Sequence, residues 1–445
     1  MKNKLLEKGN PKLLFAWAFY DWANSVYSLV IASAIFPIFY QALFTIAEVD
    51  TIQVFGGAIR STPLISYVTA IAFLTVAIIS PLLSGIADYV GNKKRFMIFF
   101  CYLGAVACIA LYWFDLENIY LSLFCYYLTL IGFWGSLVFY NSYLPDIAHP
   151  QQQDRISARG YSLGYIGSVI LLLFNLAMVM YPDGFGLGEG GSAKMKAMRI
   201  SFVTVGVWWI VFSQYSFYYL PKGNKAGNKI ARRVLFNGFR ELRQVWRALS
   251  VNPQLKRYLS AFFVYSMAVQ TVMLVATYFG EQEIGWADTD EKTAGLIISI
   301  LIIQLVAVVG AELTSRASGK FGNIPTLIVI NFIWLGVCVV AYFIIEPLQF
   351  YITAGFVGLI MGGIQSLSRS TYSKFLPKTK DTTSYFSFYD VTEKIGIVIG
   401  MLIYGVIDQI TGSMRNSVLF LVVFFFIGIV LLYRVPGYKK QKTVS

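Results

Sequence analysis

The sequence predicts an all-α integral membrane protein whose twelve transmembrane helices form two pseudo-symmetric bundles of six. Hydrophobic residues make up 57% of the 445-residue chain and charged residues only 13%, about half the charged share of a soluble domain, which is ~25%. Twelve apolar stretches are long enough to cross a bilayer, and one basic segment divides them into six and six. Because lipid cannot hydrogen-bond the backbone, continuous apolar runs of about 20 residues must be helices.

Each span is predicted from a continuous apolar run between polar loops. The predicted spans are residues 13–44, 64–87, 96–114, 118–144, 161–181, 198–220, 258–280, 293–313, 325–345, 348–376, 385–408 and 416–434.

The charges of the loops predict that both chain termini are cytoplasmic, since Lys and Arg in short loops are retained on that side. The segments predicted to be cytoplasmic hold Lys2, Lys4, Lys8, Lys12, Lys93, Lys94, Arg95, Arg155, Arg159, Arg316, Lys320, Lys374, Lys378, Lys380, Lys439, Lys440 and Lys442. Acidic residues dominate the opposite loops, with one exception, the loop that carries Lys194, Lys196 and Arg199. We expect the protein in the cell membrane, the plasma or bacterial inner membrane.

A basic linker at residues 221–257 separates the predicted bundles 1–220 and 258–445. Apolar residues recur in it at helical spacing, at Phe236, Phe239, Leu242, Val245, Trp246 and Leu249. Two interpretations stay open, an amphipathic helix on an anionic leaflet and a solvated connection. The net charge of +13 follows from positive charge retained on one membrane face, so we expect lipids and not nucleic acid as partners.

Asp21 is predicted deep in the first span, where a charge costs at least ~2.5–3.5 kcal/mol unless it faces a cavity or a partner. Asn24 and Ser25 follow three and four residues later and share its helix face. We expect this polar patch to bind substrate or a proton. The alternative is a buried acid that a neighbouring helix satisfies.

A second group of polar residues lies in the tenth and eleventh spans. Gln365 and Arg369 fall in the cytoplasmic half of the tenth. Asp390 and Lys394 are four residues apart with the acid first, which favours a helical ion pair, and Glu393 lies beside them. A substrate-binding network and a local salt bridge are both compatible with the pattern. Gln270 in the seventh span is a further candidate to line a cavity, with a hydrogen bond between helices as the alternative.

The two halves repeat one loop. SGIADYVGN at residues 84–92 follows the second span, and SRASGKFGN at residues 315–323 follows the eighth. The matching positions favour internal duplication, which is common in transporters.

The loop at residues 84–95 resembles the signature between the second and third helices of the major facilitator superfamily. The matching residues are Gly85, Asp88, Gly91, Lys93 and Lys94, and the resemblance implies that they form a cytoplasmic gate. The loop departs from the signature at Ser84, Tyr89 and Asn92.

Four further segments resemble one family within that superfamily. They are YDWANS at 20–25, ISARGYSLGYIG at 156–167, GGIQSLSRS at 362–370 and FSFYDV at 386–391. Together they resemble the unknown-major-facilitator family, which is related to the autophagy-associated vacuolar effluxers of fungi. The resemblance implies a major facilitator fold and solute export, with amino acids as the solutes of the fungal relatives. Glu393 departs from the family motif, which more often has a small residue there.

We therefore expect a monomeric secondary transporter of a small polar or organic solute that works by alternating access. Asp21 is the expected site for substrate or a proton, and Arg369 or Lys394 the expected partner of an anionic group. The main alternative is a membrane receptor or scaffold that keeps the fold without transport. We expect no enzyme, cofactor or metal site, because the single histidine, His149, lies in a loop and no nucleotide-binding motif is present.

Overall fold

The computed structural model describes residues 6–54, 56–222 and 234–436. Within these residues twelve helical spans are long and apolar enough to cross a membrane. The spans are Pro11–Ile46, Pro63–Val90, Lys93–Trp113, Ile119–Ile147, Pro150–Met180, Gly190–Tyr219, Pro253–Glu283, Glu291–Phe321, Asn323–Phe343, Pro347–Phe375, Thr382–Thr411 and Met414–Tyr433. The predicted fold class is confirmed.

Some of the lysines and arginines used to orient the chain, or to define the linker, lie outside the described residues. These are Lys2, Lys4, Lys225, Lys229, Arg232, Arg233, Lys439, Lys440 and Lys442.

Fifteen α-helices, one hairpin, one π-helical segment and two short 3-10 segments make up the secondary structure of the described residues. The α-helices and strands are α1 (Pro11–Val26), α2 (Phe36–Ile46), β1 (Thr51–Val54), β2 (Gly57–Arg60), α3 (Ser61–Val90), α4 (Lys93–Ala110), α5 (Ile119–Asn141), α6 (Leu144–Ile147), α7 (Pro150–Met180), α8 (Gly190–Tyr219), α9 (Val234–Val251), α10 (Pro253–Glu283), α11 (Thr289–Phe321), α12 (Asn323–Phe343), α13 (Pro347–Phe375), α14 (Thr382–Thr411) and α15 (Met414–Tyr433).

Two local features were not predicted. The first span is not one α-helix, because a π-helical segment, Tyr27–Ile35, joins α1 to α2. The loop after it forms an antiparallel hairpin in which Thr51 pairs with Arg60 and Val54 with Gly57. Neither element has a hydropathy pattern that differs from its surroundings.

Several helices begin earlier or end later than the apolar runs that predicted them. α10 begins at Pro253, before the predicted residue 258, because the Asn252 side chain accepts hydrogen bonds from the backbone N–H groups of Gln254 and Leu255. Its first turns therefore include charged residues. Hydropathy marks where a chain crosses lipid, whereas capping decides where a helix starts.

The chain divides into two compact units. The first unit comprises Met1–Tyr143 and Leu163–Gly238, and the second comprises Leu144–Ser162 and Phe239–Ser445. Leu144–Ser162 thus belongs to the second unit by its contacts, although it lies within the predicted bundle 1–220.

Glycines allow close approach of helices within each unit. In the first unit a Cβ atom at Gly164 would lie 2.5 Å from the Ser25 hydroxyl, so α7 and α1 touch there. In the second unit a Cβ atom at Gly358 would lie 2.5 Å from the carbonyl oxygen of Ile303, so α13 packs directly on the backbone of α11.

Candidate functional site

The predicted acid of the first span is buried and held by an aromatic pair. Asp21 is 4% exposed, and its Oδ2 accepts a 2.8 Å hydrogen bond from the Tyr140 hydroxyl on α5. The Tyr140 ring stacks on Trp17 with ring centroids 4.6 Å apart. The Trp17 indole N–H also donates to the backbone carbonyl of Tyr140 at 2.8 Å. A side chain of the neighbouring helix α5 therefore binds this carboxylate. This contact agrees with the alternative that Asp21 is a buried acid satisfied by another helix.

Asn24 and Ser25 lie beside each other as the spacing predicted. The Ser25 hydroxyl donates to Asn24 Oδ1 at 3.3 Å, and Asn24 is 1% exposed. The Asn24 Nδ2 atom has no hydrogen-bond partner among the described residues. A buried amide donor without a partner costs free energy. This amide is consequently the group in the patch with donor capacity left for a ligand.

The predicted ion pair of α14 forms. Lys394 Nζ lies 3.1 Å from Asp390 Oδ1 and 2.9 Å from Glu393 Oε2. Gln270 on α10 donates from Nε2 to Glu393 Oε1 at 2.8 Å. Four side chains from two helices thus form one group, which we call the charge cluster: Gln270, Asp390, Glu393 and Lys394.

Two of the three charged side chains of the charge cluster are buried, and the third, Glu393, is 18% exposed. Lys394 is 1% exposed and Asp390 3%. One carboxylate oxygen, Asp390 Oδ2, has no hydrogen-bond partner in the described part of the chain. A buried anion without a full set of partners is costly, so this arrangement favours a proton or a positively charged group at that oxygen.

Arg369 on α13 is buried, and its guanidinium group hydrogen-bonds to α7. Its Nε donates to the Ser157 hydroxyl at 2.9 Å, and its Nη2 donates to the Ser157 carbonyl at 3.0 Å. The guanidinium lies over the Tyr161 ring, 4.3 Å from the centroid. Gln365, one turn earlier on α13, is partly exposed.

A second cluster of polar side chains, near the end of α13, was not predicted from the sequence. Lys374 forms an ion pair with Asp154 on α7. Asn323 donates to Asp154 Oδ1 at 2.9 Å, and the Ser318 hydroxyl donates to its Oδ2 at 3.0 Å. Asp154 is 7% exposed. The repeated loop at residues 315–323 was the available signal, but Asp154 lies in a polar stretch where nothing distinguishes it.

The signature-like loop ties helix ends together within the first unit. Gly91 has φ +69° and ends α3, a conformation that favours glycine. Lys93 donates to the Ser142 carbonyl at 2.9 Å, and Lys94 donates to the Leu220 carbonyl at 2.8 Å. These carbonyls stand at the ends of α5 and α8, where cations are favourable. Gly85 is buried and Asp88 half-buried in the last turns of α3.

No group of three or more His, Cys, Asp or Glu side chains in residues 6–54, 56–222 and 234–436 is placed to hold a metal ion.

Comparison of the sequence with known proteins gives a consistent family. The family model described as "Vacuole effluxer Atg22 like" matches residues 9–445. The protein named "Uncharacterized MFS-type transporter YxiO" of Bacillus subtilis is 32% identical, over 95% of this chain and 94% of its own length. "Autophagy-related protein 22" of Eremothecium gossypii is 22% identical, over 92% of this chain and 88% of its own length.

Comparison with solved structures supports the same fold. The outward conformation of FucP, a major facilitator superfamily transporter, matches with a TM-score of 0.69 at 14% identity, covering 96% of this chain and 99% of that one. The human organic anion transporter MFSD10 matches with a TM-score of 0.67 at 10% identity, covering 95% and 100%. At these identities the likeness concerns the fold. The protein has the multi-pass fold of the major facilitator transporters, and by its match over residues 9–445 it belongs to the Vacuole effluxer Atg22 like family.

Proposed function

We propose that the protein is a secondary transporter that exports a small polar solute by alternating access. The observation that carries this proposal is the charge cluster, because placing three charged side chains in a membrane span, with Asp390 and Lys394 buried, is costly without a function. Family membership adds support, since the family model is named for effluxers.

An amino acid is the solute class that we propose. Its ammonium group is complementary to the excess negative charge of Asp390 and Glu393, and to Asp390 Oδ2 in particular, which has no partner among the described residues. Its carboxylate requires a cation, for which Lys394 and Arg369 are the candidates. Gln365 is proposed to supply a neutral hydrogen bond to the same solute. In the first unit, Asn24 and Ser25 are proposed to be part of the substrate or coupling site of Asp21.

Protons are the proposed coupling ion, and Asp21 is the proposed site in the first unit. The Tyr140 hydroxyl, which donates to its Oδ2 at 2.8 Å, is itself able to accept a hydrogen bond once the carboxyl is protonated. The same contact therefore serves both protonation states of Asp21, which is the property a proton carrier needs.

The test is counterflow in proteoliposomes that contain the purified protein and a mixture of unlabelled amino acids. We expect labelled amino acid to accumulate, and we expect Asp390→Asn to reduce the initial rate at least tenfold. Asp183→Asn, which alters an exposed loop acid, is the control and should transport normally. A receptor or scaffold would bind solute and show no counterflow, and that outcome would refute the proposal.

Proton coupling is tested separately with an imposed pH gradient. Asp21→Asn should abolish the stimulation of transport by the gradient while counterflow persists, because exchange of solute needs no net proton movement. Unchanged stimulation in Asp21→Asn would remove Asp21 from the coupling mechanism.

We also propose a monomer in the cell membrane with both termini cytoplasmic, and the basic loops named above support this orientation. Tags fused to either end should be digested by protease in inside-out vesicles and protected in intact cells. Digestion of one tag from outside would contradict the orientation.

A further inference from the structure

A basic cavity lies at one end of the second unit, away from the charge cluster. It has a volume of about 660 Å³ and is lined by Ser250, Val251, Pro253, Lys256, Arg257, Ser260, Leu431 and Arg434. Three of these residues are cations and none is acidic. The cavity is therefore complementary to an anion.

The cavity is formed where two spans end. α10 has 31 residues and so measures roughly 46 Å at helical rise, longer than the ~30 Å hydrocarbon core of a bilayer. Lys256 and Arg257 occupy its first turns. α15 has 20 residues and ends at Tyr433, about the length needed to cross that core. Arg434 thus follows directly after a span that is just long enough to cross the hydrocarbon core.

Aromatic and apolar side chains next to the cavity are exposed. Tyr433 is 84% exposed, Val251 80% and Trp246 62%. Tyr and Trp with exposed rings are typical of the level of lipid headgroups. In α9, Val245 and Leu249 are buried, whereas Arg240, Arg243 and Arg247 are exposed. Trp246 contacts Phe388 of α14 with ring centroids 5.6 Å apart, which holds α9 against the second unit.

We propose that this cavity binds the phosphate headgroup of an anionic phospholipid, with α9 lying along the membrane surface beside it. Lys256, Arg257 and Arg434 contact the phosphate, and the Ser250 and Ser260 hydroxyls contact its oxygens or the glycerol. The acyl chains leave past Leu431 and Tyr433 toward the hydrocarbon. This assignment favours the amphipathic interpretation of the linker over a solvated connection.

The chain's own C-terminal segment is the competing occupant. Residues 437–445 contain Lys439, Lys440 and Lys442 and no acidic side chain. Like charges repel, so this segment is a poor partner for three cations, whereas it attracts the same anionic lipids.

The test measures the thermal unfolding of the purified full chain in neutral detergent as lipid is added. We expect phosphatidylglycerol to raise the unfolding midpoint, and phosphatidylcholine or inorganic phosphate at matched ionic strength to leave it within error. Since each cation near an anionic surface contributes appreciably, Lys256→Gln with Arg257→Gln should raise the half-maximal lipid concentration by roughly tenfold or more.

The matched control removes two exposed cations elsewhere. Arg316→Gln with Lys320→Gln, at the end of α11, should retain the response to phosphatidylglycerol. A chain truncated after Pro436 should also retain it. Equal responses to phosphatidylglycerol and phosphatidylcholine, equal loss in both double variants, loss on truncation, or an equal effect of inorganic phosphate would each overturn the proposal.

Discussion

Lys394 is the cation of the charge cluster. Its ammonium lies 3.1 Å from Asp390 Oδ1 and 2.9 Å from Glu393 Oε2, so one positive charge faces two negative ones. Gln270 supports Glu393 through a neutral hydrogen bond of 2.8 Å. Loss of the ammonium would leave the buried Asp390 carboxylate and the partly exposed Glu393 carboxylate without this cation.

Replacement of Lys394 by Met is accordingly expected to destabilise the protein by about 3–5 kcal/mol, the usual cost of removing one partner of a buried ion pair. Lys292→Met is the control, because Lys292 lies 3.7 Å from Glu281 with 33% of its side chain exposed. Such exposed pairs contribute only about 0–1 kcal/mol. Thermal unfolding in detergent measures both, and a similar midpoint for the two variants would contradict the expectation.

The residues of the site were only partly predictable from the sequence. Asp390 and Lys394 were found because four-residue spacing on one helix fixes their distance. Tyr140 was not found as the partner of Asp21, since its distance from Asp21 along the chain carries no signal and aromatic residues are frequent throughout. Asp154 was missed for a similar reason: its partners Lys374, Asn323 and Ser318 come together only through the packing of separate helices.

At the level of single elements, glycine decides how closely α13 approaches α11. A Cβ atom at Gly358 would lie 2.5 Å from the Ile303 carbonyl oxygen and 2.9 Å from the Ile303 Cα atom. Backbone atoms cannot move aside as a side chain can. By contrast, a Cβ atom at Gly355 on the same helix would have its nearest neighbour, Ile302 Cγ2, at 3.9 Å.

The variant Gly358→Ala should therefore lose about 1–3 kcal/mol of stability through overpacking. Gly355→Ala should be neutral or stabilising, since alanine favours a helix over glycine by about 0.5–1 kcal/mol. Unfolding midpoints of the two purified variants decide the matter. If Gly358→Ala were as stable as Gly355→Ala, the helices would not be in backbone contact.

The positions of the membrane spans were predicted more accurately than the type of secondary structure within and between them. The twelve spans follow from hydropathy because lipid imposes a minimum apolar length. The hairpin Thr51–Val54 with Gly57–Arg60 and the π-helical turns of Tyr27–Ile35 were not predicted, because hydrogen-bond register leaves no trace in composition.

Across the whole molecule the duplicated loop has one backbone feature in both copies. Gly91 ends α3 with φ +69° and ψ +32°, and Gly322 ends α11 with φ +92° and ψ +160°. Both φ values lie in the range that favours glycine. The combination of φ and ψ at Gly322 is accessible almost only to glycine. The two copies therefore share a requirement for glycine and differ in how strict it is.

Replacing the loop glycine by alanine should reduce the free energy of unfolding more in the second copy, at Gly322, than in the first, at Gly91. Gly91→Ala is expected to cost about 1–2 kcal/mol, the usual penalty of left-handed backbone, and Gly322→Ala up to about 3 kcal/mol. Gly336→Ala, inside α12 with no atom within 4 Å of the added Cβ, is the reference. The unfolding midpoint should be highest for Gly336→Ala, lower for Gly91→Ala and lowest for Gly322→Ala. A lower midpoint for Gly91→Ala than for Gly322→Ala would exclude backbone conformation as the cause.

The π-helical segment between α1 and α2 has a consequence for Asp21. In such a segment each amide bonds the fifth preceding carbonyl, and Ser33 follows the same spacing when its hydroxyl donates to the Ser28 carbonyl at 3.0 Å. Exchanging fifth-neighbour for fourth-neighbour pairing shifts the register by one position, which turns the preceding helix by about 100°. Rewinding Tyr27–Ile35 to α-helical pairing would therefore turn α1, and with it the Asp21 carboxylate, about the helix axis without breaking the span.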